Sequence, residues 1–178
     1  MRLFIEVPLP EEIRQKLAGL GKEIEQEGIK LVKAENMHAT LKFIGDVPEE
    51  KLGNIEARLR EVGFRGFDCE VKGVGVFPNE DYIRVVWAGI ESDGMMEKLA
   101  KDVIDATKGY GKDERFSAHI TIARVKRKTD LKAFLDKHSD DEIGHFRADT
   151  FNLMQSELSR EGPTYSVIAS FQAEDRDA

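Results

Sequence analysis

His38-Ala39-Thr40-Leu41-Lys42-Phe43-Ile44-Gly45 reads as a strand closed by a glycine turn, and its opening returns as His119-Ile120-Thr121-Ile122. Both segments follow His-x-Thr-x with an apolar fourth residue, and they stand close to half a chain length apart. In a strand, side chains two apart share a face. Each segment therefore presents an imidazole and a hydroxyl together. Two such pairs facing one cleft supply a base, an acid and two hydroxyl donors, a set suited to attack on phosphorus without a metal. An imidazole, with an ordinary pKa of about 6.5, can take a proton from water or give one to a departing ribose oxygen at neutral pH. A β-branched threonine is stiff at χ1 and holds its hydroxyl in place for a non-bridging oxygen.

A lone His-x-Thr-x also describes a strand histidine satisfied by its neighbour. The matched positions of the two copies are what favour catalysis. Zinc would want three or four ligands, and neither motif strand offers a Cys, Asp or Glu on its histidine face. No metal and no cofactor are expected. His138 and His145 lie at a charged helix end and in a loop, and are expected to be solvated.

Working outward, residues 2–7 alternate as a strand. Pro10-Glu11-Glu12 opens a helix with the stripe Ile13, Leu17, Leu20 and Ile24, ended by Gly28. After the first motif strand (38–44), a helix from Pro48 carries Leu52, Ile55, Leu59 and Val62 up to Gly63. Phe67, Cys69 and Val71 alternate, and Gly73 breaks the phase as a bulge would. A turn at 78–81 leads to a strand over 82–90. Ser92 or Asp93 caps a helix with Met96, Leu99 and Val103. The second motif strand (119–124) and a short helix with Leu131, Phe134 and Leu135 follow. Residues 146–158 form one extended segment, and Gly162-Pro163 turns into a last strand. Phe4 precedes His38, and Val85 precedes His119, at similar distances. This reads as an internal duplication within one α+β domain, 1–178, of two interleaved lobes with the motif strands at their junction.

Arg124 follows the second motif at the offset that Phe43 has from His38. A guanidinium there suits a phosphate and a phenyl ring suits a base, and Lys42 adds a charge beside them. An offset of five has the wrong parity, however, so Phe43 and Arg124 reach the cleft only if the strand bends or ends there, and otherwise Phe43 is core.

The chain of 178 residues is 40% hydrophobic with a formal net charge of −7. It is long enough for a real core, and its acidity argues against sequence-independent clamping of nucleic acid while leaving room for one RNA terminus in a local positive pocket. One cysteine, Cys69, excludes an internal disulfide and fits a reducing cytoplasm. No apolar run is long enough for a membrane helix, and the N-terminus turns acidic too early for a secretory signal.

The two motifs, together with Arg2-Leu3-Phe4-Ile5, Met154-Gln155-Ser156-Glu157-Leu158 and Gly162-Pro163-Thr164-Tyr165, resemble the 2H phosphoesterase superfamily, and most of all its RNA 2′,3′-cyclic phosphodiesterase (2′-5′ RNA ligase) branch. The resemblance spans nearly the whole chain. It implies a bilobal LigT-like fold, two antiparallel sheets flanking a cleft with helices outside, and no metal. It makes His38 the proton donor to the leaving 3′ oxygen and His119 the base that activates water, with a 2′-phosphate product. Thr40 and Thr121 would bind the phosphate, with Arg124 and Phe43 helping to hold the nucleotide; Lys42 is a further substrate-binding candidate from its place in the first motif strand. The implied partners are RNA ends or nucleotides bearing a 2′,3′-cyclic phosphate, tRNA fragments among them, taken by a cytoplasmic monomer. Ligation is the same transesterification reversed. A module that grips RNA ends without turnover, and a phosphodiesterase for another diester, remain open at this point.

Overall fold

The computed structural model describes residues 1–174. Within them the chain forms nine strands and four α-helices. They are β1 (Arg2–Pro8), α1 (Glu11–Lys22), β2 (Ile29–Leu31), β3 (His38–Asp46), α2 (Leu52–Arg60), β4 (Phe67–Asn79), β5 (Tyr82–Glu91), α3 (Met95–Ala106), β6 (His119–Val125), α4 (Lys132–His138), β7 (Glu142–Ala148), β8 (Thr150–Ser159) and β9 (Gly162–Gln172). The stripes read from the sequence point inward. Ile13 and Leu17 of α1, Ile55 and Leu59 of α2, and Met96, Leu99 and Val103 of α3 are all buried. The Ser92 hydroxyl accepts the Met96 N–H at 2.9 Å and so caps α3.

Strand order is β7-β4-β5-β6-β3-β1-β8-β9, with β2 added to β6. The pairing is antiparallel throughout. The two half-sheets expected on either side of a cleft form one curled sheet, because the motif strands β3 and β6 meet at a single rung, Ala39 opposite Ile120. Both residues of that rung are buried. Beyond it the strands diverge, and the divergence opens the cleft.

The helices are exchanged between halves. α1, which follows β1, packs on β6 and β7 of the other half, while α3, which follows β5, packs on β3. Gly21 of α1 lies so close to β6 that a Cβ there would stand 3.1 Å from Ile122 Cγ2. One apolar core accordingly runs through both halves, from Leu3 and Ile5 to Val103, Ile120 and Ile122. Each fully buried Leu or Ile in it is worth about 1.5–3 kcal/mol relative to exposure.

Several boundaries differ from the sequence reading. α1 stops at Lys22 rather than near Gly28, and the intervening residues make room for β2, a three-residue strand too short to show a period. The first turn before α2 is a 3-10 turn over Glu49–Lys51. The extended stretch after Phe146 is two strands, β7 and β8, that break at Asp149 and join opposite halves of the sheet. The bulge at Gly73 is present: its φ is +71°, and its N–H reaches the Asp141 carbonyl at 2.8 Å.

Candidate active site

With Ala39 opposite Ile120 and both turned into the core, the neighbouring residues 38, 40, 119 and 121 all face the other way. Continuing that antiparallel register sets His38 across from Thr121, and Thr40 across from His119. The four motif side chains thus share one face and line one cavity of about 240 Å³.

Both imidazoles are anchored in the same manner. His38 Nδ1 lies 2.7 Å from the Asn36 carbonyl, and His119 Nδ1 lies 2.8 Å from the Ser117 carbonyl. A carbonyl only accepts, so each Nδ1 carries a proton and each Nε2 is left for chemistry. Two rings hold His38: Phe4 stacks on it at 5.0 Å, and Tyr165 meets it edge-on at 5.5 Å. Phe77 meets His119 edge-on at 5.1 Å.

Burial disfavours charge on both rings. It pushes His38 down to about 4, with the charges of Arg124 and His119 adding to the effect and the Asn36 hydrogen bond opposing it. His119, less deeply buried, is also lowered, first by burial and then by Arg124, against the Ser117 hydrogen bond. Both imidazoles are therefore mainly neutral at pH 7. An anion entering the cleft would favour protonating one of them.

The parity problem of Phe43 and Arg124 has a common solution. Ile5 pairs with Lys42 and Glu6 with Thr40, which leaves Leu41 unmatched. Likewise Val86 pairs with Ala123 and Trp87 with Thr121, which leaves Ile122 unmatched. Each motif strand bulges at the fourth motif residue. The bulge buries two residues in succession and returns the next to the cleft, so Phe43 and Arg124 both line it. Arg124 has no carboxylate partner among the described residues. The Phe43 ring is 47% exposed, with the Arg2 guanidinium 5.2 Å from its centre.

The same bulge removes Lys42 from the site. Its side chain points into the opposite face, where Nζ donates to the Thr107 carbonyl at 3.1 Å and pairs with Asp113 at 3.3 Å. Lys42 ties β3 to the end of α3 and does not touch the cleft. His138 also departs from expectation. It is buried, with its two ring nitrogens against Asp141 and Glu23. His145 is exposed as expected, 3.0 Å from Glu70.

Sequence reasoning passed over Phe4, Lys30, Lys33, Asn36, Pro163 and Tyr165 as cleft residues. Asn36 Nδ2 donates to the Pro163 carbonyl at 3.2 Å, which fastens the β8–β9 turn over the cavity. Phe4 and Tyr165 did carry a signal, since both stand in the segments that resemble the family outside its two motifs. Lys30 and Lys33 left none, because β2 itself was invisible. Among the described residues no three His, Cys, Asp or Glu side chains come together as a metal site, and no helix is long and apolar enough to cross a membrane.

Known proteins resemble this chain in sequence and in fold. The family profile of LigT-like phosphoesterases matches residues 7–87. A protein of Archaeoglobus fulgidus named RNA 2′,3′-cyclic phosphodiesterase is 41% identical over 97% of this chain and all of its own length. The crystal structure of TT0787 of Thermus thermophilus superposes with a TM-score of 0.83 at 31% identity, covering 98% of this chain and 100% of that one. Escherichia coli LigT, crystallised with 3′-AMP, shares the fold at a TM-score of 0.81 and 24% identity, with 98% of each chain covered.

Proposed function

Because this chain belongs to the LigT-like phosphoesterases of the 2H superfamily, we propose that it hydrolyses RNA 2′,3′-cyclic phosphate ends to 2′-phosphates by a histidine acid–base pair. The observation that carries this reading is the shared face of His38, Thr40, His119 and Thr121, with each Nδ1 committed to a backbone carbonyl. His119 Nε2 takes a proton from water as the water oxygen attacks phosphorus. His38 Nε2 gives its proton to the ribose 3′ oxygen as the P–O3′ bond breaks. The Thr40 and Thr121 hydroxyls donate to the two non-bridging oxygens, where negative charge grows. Arg124 pairs with the phosphate, and Phe43, exposed at the cleft edge, stacks a base. With a 5′-hydroxyl in place of water as the attacking group, the same steps join it to the 2′-phosphate and release the 3′-hydroxyl, which is 2′-5′ ligation.

The relatives' name supports RNA ends as the substrate class, and the 3′-AMP bound by Escherichia coli LigT supports a nucleotide in the cleft. The test is incubation with 2′,3′-cyclic AMP in EDTA, followed by product identification. A 2′-monophosphate is expected, and His38→Ala or His119→Ala should each slow turnover about 10²–10⁴-fold with the fold intact. Binding without product would identify an RNA-end-binding module instead, and full activity in both variants would remove the imidazoles from the mechanism.

A further inference from the structure

The two halves of the site match in motif, anchor and bulge, yet they differ at the strand position behind the motif threonine. The residue paired with Thr40 across the sheet is Glu6, and the residue paired with Thr121 is Trp87. Glu6 is a buried acid, and a carboxylate is kept in such a place only when it is partnered. Its Oε2 accepts the Asn152 amide at 3.0 Å, and Asn152 Oδ1 in turn accepts the Ser170 hydroxyl at 2.7 Å. Its other oxygen, Oε1, lies 4.0 Å from His38 Nδ1. A hydrogen-bonded line thus crosses β9, β8 and β1 and ends beside the β3 imidazole. At the matching place in the other half stands an indole whose Nε1 is buried without a partner among the described residues.

We infer that Glu6 is the positioning residue that singles out His38 as the proton donor, by presenting a carboxylate to its Nδ1 edge that His119 lacks. This rests on the acid–base reaction proposed above, and it resolves a conflict within it. His38 is the more deeply buried ring, so burial alone makes His119 the easier imidazole to protonate. A donor role for His38 needs a compensating negative charge, and Glu6 is the carboxylate within reach.

Other charged groups face the pair from several elements. The Glu6 carboxyl is raised above the ordinary carboxylate value by burial, with the Asn152 hydrogen bond and then the charge of Arg14 of α1 opposing the rise. Arg124 and His119 act on His38 from β6 in the opposite sense. Tyr165 of β9 is raised above the usual phenol range, first by burial, with Glu6 adding to the effect and Arg124 and Arg2 opposing it, and it stays neutral. An opposite charge at 4–6 Å favours the charged form of its neighbour by about 1–3 pKa units, and Glu6 presents a carboxyl group to His38 and not to His119.

The experiment uses the full chain and the variant Glu6→Gln, which keeps an acceptor for Asn152. The first readout is kcat against pH with 2′,3′-cyclic AMP. The alkaline limb reports loss of the acid's proton, so in the variant it should move down by about one pH unit, with kcat about tenfold lower at pH 8 and KM within about twofold. The second readout is the ¹⁵N titration of both imidazoles in saturating inorganic phosphate. In the wild type His38 should hold its proton to higher pH than His119, and in the variant the order should invert. A carboxylate that is merely structural would lower the melting temperature on replacement and leave both readouts in place.

Superimposable pH profiles, or a His119 that titrates above His38 in the wild-type complex, would overturn the role of Glu6. The wild-type titration decides even if the variant fails to fold. If the wild type does not open the cyclic nucleotide at all, the reaction is wrong, and the phosphate-bound titrations still judge Glu6 on their own.

Discussion

An imidazole that must work as an acid gains from a site that resists charging it, provided the substrate supplies the missing anion. His38 is pushed to about 4 by burial, and His119 is lowered from about 6.5 for the same reason. The ratio kcat/KM reports free-enzyme groups and kcat those of the complex. The proposed reaction needs one ring protonated and one neutral, so kcat/KM should peak on the acid side of about 6.5 and fall as pH rises. The kcat profile should peak at higher pH, because a bound phosphodiester raises both rings. Stopped-flow or coupled assays of 2′,3′-cyclic AMP from about pH 4 to about pH 9 would check this, and coincident optima would contradict it. Among single residues, the four motif side chains were legible because strand periodicity makes His and Thr two apart share a face. Asn36 and Ser117 were not, because their role is carried by a carbonyl that any residue possesses. Glu6 was not either, since a strand carboxylate near the N-terminus reads as solvent-facing until Asn152 and Tyr165, far along the chain, are brought to it.

The bulge is the element that most changes what the motif means. Period-two reading sets Lys42 on the face of Thr40 and sends Phe43 into the core, as one unmatched residue in each motif strand then inverts. No residue type at Leu41 or Ile122 announces this, because a bulge is set by the partner strand's register. It follows that Lys42→Met should lower the melting temperature, by loss of the Thr107 and Asp113 contacts, and leave KM for a cyclic nucleotide within about twofold, whereas a phosphate-binding lysine would raise KM strongly when replaced. The corner between α4 and β7 carries a second consequence. Burial opposes charge on His138, but hydrogen bonds and attraction from Asp141 and Glu23 outweigh it and raise its pKa. A raised histidine stabilises the fold fully below its unfolded pKa of about 6.5. That contribution fades as pH rises through the folded value. The melting-temperature gap between wild type and His138→Gln should therefore be widest near about pH 6 and narrow toward about pH 9. A gap independent of pH would show that packing alone is at stake.

At the scale of the molecule, the fold class and the meeting of two motif strands followed from the repeated strand–helix–motif order. The exchange of helices did not, because an amphipathic stripe says that a helix is covered but not by which sheet. β4 through β7 are contiguous, residues 67–148, and look like a separable unit in the chain order. Without α1, the back of β6 and β7 is uncovered, and the core that includes Ile120, Ile122 and Phe146 opens to water. The isolated segment 67–148 should show no cooperative thermal transition by calorimetry or circular dichroism, and a sharp transition would mean that the half is self-sufficient.

The lone rung between Ala39 and Ile120 leaves the strands on either side of it little held by each other, so the span between the rings is governed from behind, by helices that never see the substrate. Gly21 is a tight point of that support. A methyl group there must displace Ile122 by a few tenths of an ångström, one residue from Thr121. Alanine for glycine inside a helix is otherwise a favourable exchange, worth roughly 0.5–1 kcal/mol. Gly21→Ala should consequently melt no earlier than the parent while turning over a cyclic nucleotide more slowly, a mutation that tightens the scaffold and detunes the instrument it carries.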